Sequence, residues 1–111
     1  GNENWASFAT VCETSIEMLT FLDSDSKTLA KQPQLIFADA SQQVDQMLTK
    51  FVLNHRVFFR EAANYDSPHD QATLQTYQKL SSLVKSPFTD KTQSEFSAFK
   101  KAYLNLKQTN Q

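Results

Sequence analysis

The stretch that decides the fold is residues 33–64, which read PQLIFADASQQVDQMLTKFVLNHRVFFREAAN. Apolar side chains recur in it at steps of three or four residues, which is the spacing of one face of an α-helix. This row consists of Phe37, Ala40, Val44, Met47, Leu48, Phe51, His55, Phe58, Phe59 and Ala62. We therefore predict one long helix. Pro33 either lies in its first turn or bends a helix that began near Ser26, because proline disrupts a helix interior.

Two flanking stretches show the same periodicity. Residues 4–22 predict a first helix with one apolar face, formed by Trp5, Phe8, Cys12, Ile16, Leu19 and Leu22. A fourth helix is predicted to begin near Asp90, with Thr92 and Glu95 as a capping box. Its apolar face is Phe96, Phe99, Tyr103 and Leu106. We expect residues 108–111 to fray.

The third helix has the clearest start signal in the chain, Ser67-Pro68-His69-Asp70. Serine caps a helix, proline fits its first position, and an acid suits its positive end. Its predicted apolar face is Leu74, Tyr77, Leu80, Leu83 and Val84. The prediction is therefore a single all-α domain, residues 1–111, folded as an up-and-down bundle, most simply of four helices with the second one longest.

Glycine occurs only at position 1. Phosphate-binding loops, dinucleotide-binding turns and the nucleophile elbow all depend on glycine, so the sequence offers none of these catalytic frameworks. Gly1 is expected to be a remnant of processing or cloning, with a segment before Asn2 removed. A surface rich in Ser, Thr, Gln and Asn favours an exported protein, secreted or periplasmic.

Charge is unevenly distributed although the net charge is only −1. The first 25 residues hold five acids and no Lys or Arg, whereas residues 84–111 hold five lysines and two acids. The first and last helices are therefore expected to attract each other as neighbours. No basic stripe points to a nucleic-acid partner, and no apolar run reaches membrane-spanning length. Cys12 is the single cysteine, and its place on an apolar face predicts a buried, inert thiol.

Two histidines are the candidate ligand residues. His55 lies in the apolar row of the long helix, where it could ligate a haem or metal, act as a pH-sensitive group, or pack as a neutral core residue. The core role is favoured because the sequence identifies no second ligand, so neither a metal nor a cofactor is predicted. His69, in the first turn of the third helix, is expected to be a surface residue.

A candidate partner surface lies on the opposite side of the long helix. Leu35, Leu53 and Val57 project about 160° away from His55 on an ideal helix. Either this helix is covered on both sides, or its back contacts another protein or a second copy of the chain. With no catalytic constellation in the sequence, the expected function is a non-enzymatic interaction module, and the alternative is a ligand-binding bundle that uses His55.

Overall fold

The computed structural model describes residues 2–20, 33–62, 64 and 68–109, with side chains described from residue 4 in the first range and from residue 35 in the second. This part of the chain is all-helical and contains no strand. Its five helices are α1 (Asn2–Leu19), α2 (Pro33–Asn54), α3 (Arg56–Ala62), α4 (Pro68–Val84) and α5 (Asp90–Thr109). The all-α prediction is confirmed.

The helix count differs from the prediction because the long helix is interrupted at His55. Four helices were expected, and the described ranges hold five. Pro33 is the first residue of α2. The alternative, a helix that begins near Ser26 and bends at Pro33, depends on residues that lie outside the described ranges. The predicted helix start at Pro68 is confirmed, while its capping residue Ser67 also lies outside them.

Helix α5 begins at Asp90 as predicted, but a different residue caps it. The Thr92 backbone N–H donates a hydrogen bond to Thr89 Oγ1 over 3.1 Å, which is the usual geometry between an N-cap hydroxyl and the third helical residue. The predicted pairing of Thr92 with Glu95 placed the cap three residues too late. Gln108 and Thr109, which were expected to fray, belong to the helix.

The four longer helices lie side by side, each antiparallel to its neighbours. Helix α1 contacts α2 and α5, and α4 also contacts α2 and α5. The rings of Phe8 and Phe51 lie 5.7 Å apart, which joins the start of α1 to the end of α2. At the opposite end of the molecule, Phe37 of α2 lies 6.0 Å from Phe88, just before α5.

One core runs between these helices. Its buried side chains are Phe8, Cys12, Leu19, Phe37, Ala40, Val44, Leu48, Phe51, Leu80, Leu83, Val84, Phe96, Phe99, Tyr103 and Leu106. On α4, Thr73 and Thr76 are buried where Leu74 was expected. Their hydroxyls donate to the carbonyls of His69 and Ala72, four residues earlier, so both can enter the core without an unpaired group.

Candidate functional site

The interruption between α2 and α3 falls at His55, whose side chain makes a hydrogen bond to a helix carbonyl. Its Nδ1 lies 2.9 Å from the Phe51 carbonyl oxygen, the acceptor that the His55 backbone N–H would use in a continuous helix. The backbone N–H donates to Val52 O instead, over 3.1 Å. A side chain that competes for a helix carbonyl breaks the regular pattern of hydrogen bonds. Residue 55 is therefore the joint between two helices.

The position of His55 is not the one predicted. The ring stacks on Phe51 with centroids 4.3 Å apart, but His55 is only half-buried and is not part of the core. Because a carbonyl oxygen can only accept, the Nδ1 atom carries a proton in this hydrogen bond. This hydrogen bond therefore fixes the orientation of the ring. The other ring nitrogen, Nε2, takes no part in it.

Helix α3 is held to the rest of the molecule through Phe59 and its C-terminal end. The Phe59 ring lies 5.4 Å from Phe51 and 4.7 Å from Tyr77. Gln71 Nε2 on α4 donates to the Ala62 carbonyl over 2.6 Å, so one of the terminal carbonyls of this helix is paired. The hydrogen bond from His55 to Phe51 therefore fixes the joint on the α2 side, and the contacts of Phe59 and Ala62 fix it on the α3 side.

This joint also corrects one predicted core residue. Phe58 was expected to be buried with Phe51, but it is half-buried and lies outside the core, where Phe59 packs instead. The change of hydrogen-bond step at His55 alters the rotation of α3 relative to α2, so the seven-residue spacing no longer keeps the two rings on one face.

A surface pocket of about 410 Å³ opens beside the joint. The residues around it combine apolar, basic and acidic side chains from four helices and the joint: Asn4, Leu53, Asn54, His55, Arg56, Val57, Phe58, Glu61 and Asp70. The sequence singled out His55 as a candidate ligand residue, and Leu53 and Val57 as part of a candidate partner surface. The structure brings all three to one place.

Leu53 and Val57 are the apolar residues that this pocket presents to solvent. They are 62% and 51% exposed, so the alternative that neighbouring helices cover the back of α2 at this end is wrong. Leu35 is 64% exposed but belongs to the other end of α2, near Met18 and Ile36. The predicted partner surface therefore divides into two separate places. We refer to Leu53, Val57 and the pocket between them as the Leu53–Val57 site.

The sequence analysis did not identify four of the pocket residues as part of a site: Asn4, Arg56, Glu61 and Asp70. Asn4 and Asp70 are distant in sequence, and only the packing of α1 and α4 brings them here. Arg56 and Glu61 follow the joint on α3. The signal that could have located the joint is the pair Asn54-His55, because both residues have low helix propensity and hydrogen-bonding side chains near the backbone.

A polar contact joins α1 to α5. Glu13 Oε1 accepts hydrogen bonds from Lys107 Nζ over 2.8 Å and from Tyr103 Oη over 3.1 Å. These bonds and the lysine charge lower the pKa of Glu13. Burial and the adjacent carboxylate raise the pKa of Tyr103. This is the expected attraction between the acidic first helix and the basic last helix.

Cys12 and His69 both pack against other side chains of the fold. Cys12 is fully buried, as predicted, and burial followed by the nearby Glu13 charge raises its thiol pKa. A thiol of this kind is a poor nucleophile at neutral pH. His69 was expected to be a simple surface residue, but it is half-buried with its ring 6.1 Å from Trp5.

Within residues 2–20, 33–62, 64 and 68–109, no three His, Cys, Asp or Glu side chains are placed to hold one metal ion. Across the same ranges, no helix has both the length and the apolar character needed to cross a membrane.

No protein family, no curated protein and no solved structure matches the chain.

Proposed function

We propose that this protein is a non-enzymatic interaction module, an up-and-down helical bundle that binds another protein, or a second copy of itself, through the Leu53–Val57 site. The observation that supports this most strongly is the exposure of two branched apolar side chains, Leu53 and Val57, beside a pocket. Single exposed leucines are ordinary. Two exposed apolar side chains that flank one pocket, however, form a patch from which a bound partner could exclude water.

The surroundings of the patch suit a protein partner. Arg56, Glu61 and Asp70 place one positive and two negative charges at the pocket that Leu53 and Val57 also line. Protein interfaces typically combine an apolar centre with a polar rim that sets orientation. The aromatic ring of Phe58 adds the kind of side chain that is enriched in binding hot spots.

The structural attachment of this surface also supports the proposal. Leu53 precedes the joint and Val57 follows it, so their relative position depends on the hydrogen bond from His55 to Phe51. Phe59 and the Gln71–Ala62 hydrogen bond then hold α3 against α4. A surface that is rigid before binding loses less conformational entropy when the partner arrives.

The proposal can be tested by site-specific photo-crosslinking. A benzoylphenylalanine introduced at Val57 should give one discrete crosslinked product in cells of the native host. The same group at Gln78, an exposed position on α4, should not give it. Equal products from both positions, or none from Val57, would contradict the proposal. Sedimentation equilibrium of the purified chain distinguishes self-association from a different partner.

A second candidate function is ligand binding through His55, and one observation favours it. The hydrogen bond from Nδ1 to the Phe51 carbonyl orients the ring, and Nε2 is the ring nitrogen that could coordinate a metal. Histidines that bind metals commonly donate their other ring N–H to a backbone carbonyl in this way. The ligand would be a metal ion or haem held at the pocket beside the joint.

This candidate has its own test. Protein isolated from its native source would be examined for visible absorbance and metal content, together with the His55→Leu variant. A bound chromophore or metal that disappears in His55→Leu, while the variant remains folded, would favour ligand binding over the interaction module. Absence of both from the wild-type protein would remove the second candidate.

A further inference from the structure

A separate pocket of about 340 Å³ lies in the groove between α1 and α2. It shares only Asn54 and His55 with the pocket of the Leu53–Val57 site. We call it the α1–α2 groove, and its lining residues come from these two helices and the joint: Ser7, Thr10, Val11, Thr14, Met47, Lys50, Phe51, Asn54 and His55.

The floor of this groove is apolar. Phe51 is a core residue, 5% exposed, and the partly buried side chains of Val11 and Met47 pack against the core beside it. Methionine is flexible and polarisable, so it adapts to apolar groups of different shape. A hydrocarbon chain laid on this floor would lose contact with water, which is favourable.

The rim of the groove carries one positive charge and no negative charge. Lys50 is the charged residue, and none of the lining side chains is an Asp or a Glu. Within the described part of the chain, Lys50 forms no ion pair. Helix α1 is acidic, but its Glu13 turns to the other side and binds Lys107 and Tyr103 of α5. The groove therefore suits an anion better than a cation.

An apolar floor beside one positive charge defines the class of ligand. We propose that the α1–α2 groove binds an amphipathic carboxylate, with its hydrocarbon chain on Val11, Met47 and Phe51 and its carboxylate at Lys50. Asn54 lies one helical turn after Lys50 and offers amide N–H donors to the same carboxylate. Small-molecule sites commonly combine an apolar lining with a few polar groups that fix orientation, and the volume falls within their range.

This ligand site is separate from the partner surface, so either proposal can fail without the other. The test compares octanoate with octanamide, which has the same shape and no charge. Binding at pH 8, where carboxylates and lysines are both ionised, would be followed by the amide chemical shifts of Val11 and Thr14. Octanoate should bind the wild type about twofold to fivefold more tightly than octanamide, since one exposed ion pair contributes about that factor.

Lys50→Gln removes the charge and should weaken octanoate by the same factor, while octanamide affinity stays unchanged. Lys79→Gln is the matched control, because it makes the same charge change at an exposed position of α4 and should leave both affinities unchanged. Val11→Thr places a hydroxyl in the floor with little change of shape, so it should weaken both probes equally.

Three results would overturn the proposal. In the first, octanoate at millimolar concentration does not shift Val11 or Thr14 in the wild type, or shifts only Arg56 and Val57 at the neighbouring site. In the second, octanoate and octanamide bind the wild type equally, a comparison that needs no variant to fold. In the third, Lys50→Gln and Lys79→Gln have the same effect on octanoate affinity.

Discussion

At the scale of single residues, the aromatic side chains of the core carry much of the stability. Phe99 is 1% exposed and belongs to the same cluster as Phe96 and Tyr103 on α5. Its replacement by alanine removes apolar contacts and leaves a cavity that close-packed neighbours can fill only in part.

Phe99→Ala should therefore lower the free energy of unfolding by about 3–5 kcal/mol. Leu104→Ala, on the same helix but exposed, is the control and should change it by less than about 0.5 kcal/mol. Urea denaturation followed by circular dichroism measures both. Similar losses for the two variants would mean that the assigned buried face of α5 is wrong.

The carboxylate of Glu13 makes stability depend on pH. Hydrogen bonds from Lys107 and Tyr103 lower its pKa in the folded protein, whereas an unfolded Glu has a pKa of about 4.3. A lowered folded pKa stabilises the protein above the unfolded value. This stabilisation is lost as the pH falls through the folded pKa. The effect should be modest, because the Glu13 side chain is about half exposed.

Glu13→Gln should thus be less stable than the wild type at pH 7, and the difference should shrink as the pH falls below about 4.3. Lys107→Gln removes the main cause of the pKa shift and should reduce the acid sensitivity of the wild type. Urea midpoints measured between neutral and acidic pH give the comparison. A difference that stays constant across this range would show that the contact does not affect the Glu13 pKa.

At the scale of elements, helix positions could be predicted from the sequence, and most of the predicted helix ends lie within a few residues of the observed ones. Periodicity located α1, α4 and α5, and proline marked the starts of α2 and α4. The division at His55 was missed because the apolar row continues through it. Periodicity records which face is apolar, but not whether a side chain competes for a backbone carbonyl.

His55→Leu tests this explanation of the joint. Leucine cannot donate to the Phe51 carbonyl and has a higher helix propensity, so α2 and α3 should join into one helix. His55→Asn is the matched control, because asparagine has a low helix propensity and a side chain that can compete for backbone groups. Backbone carbon chemical shifts of residues 54–57 report the result. If these residues keep their wild-type shifts in His55→Leu, the hydrogen bond does not cause the break.

At the scale of the whole molecule, the candidate site could be predicted only in pieces. The sequence showed that Leu53 and Val57 interrupt a polar face, and the structure shows both exposed beside one pocket. Leu35 carried the same sequence signal but lies elsewhere. The contributions of Asn4 and Asp70 depend on how α1 and α4 pack, which no local pattern contains.

The most direct test of the proposed function is a comparison of fold and binding in the double variant Leu53→Ser, Val57→Ser. Both side chains are exposed, so the thermal midpoint should change little, whereas the crosslinked product obtained from benzoylphenylalanine at the neighbouring position Glu61 should disappear. Substituting Leu35→Ser, at the far end of α2, should preserve that product. A double variant that keeps the product, or that unfolds as readily as Phe99→Ala, would contradict the assignment of this surface to partner binding.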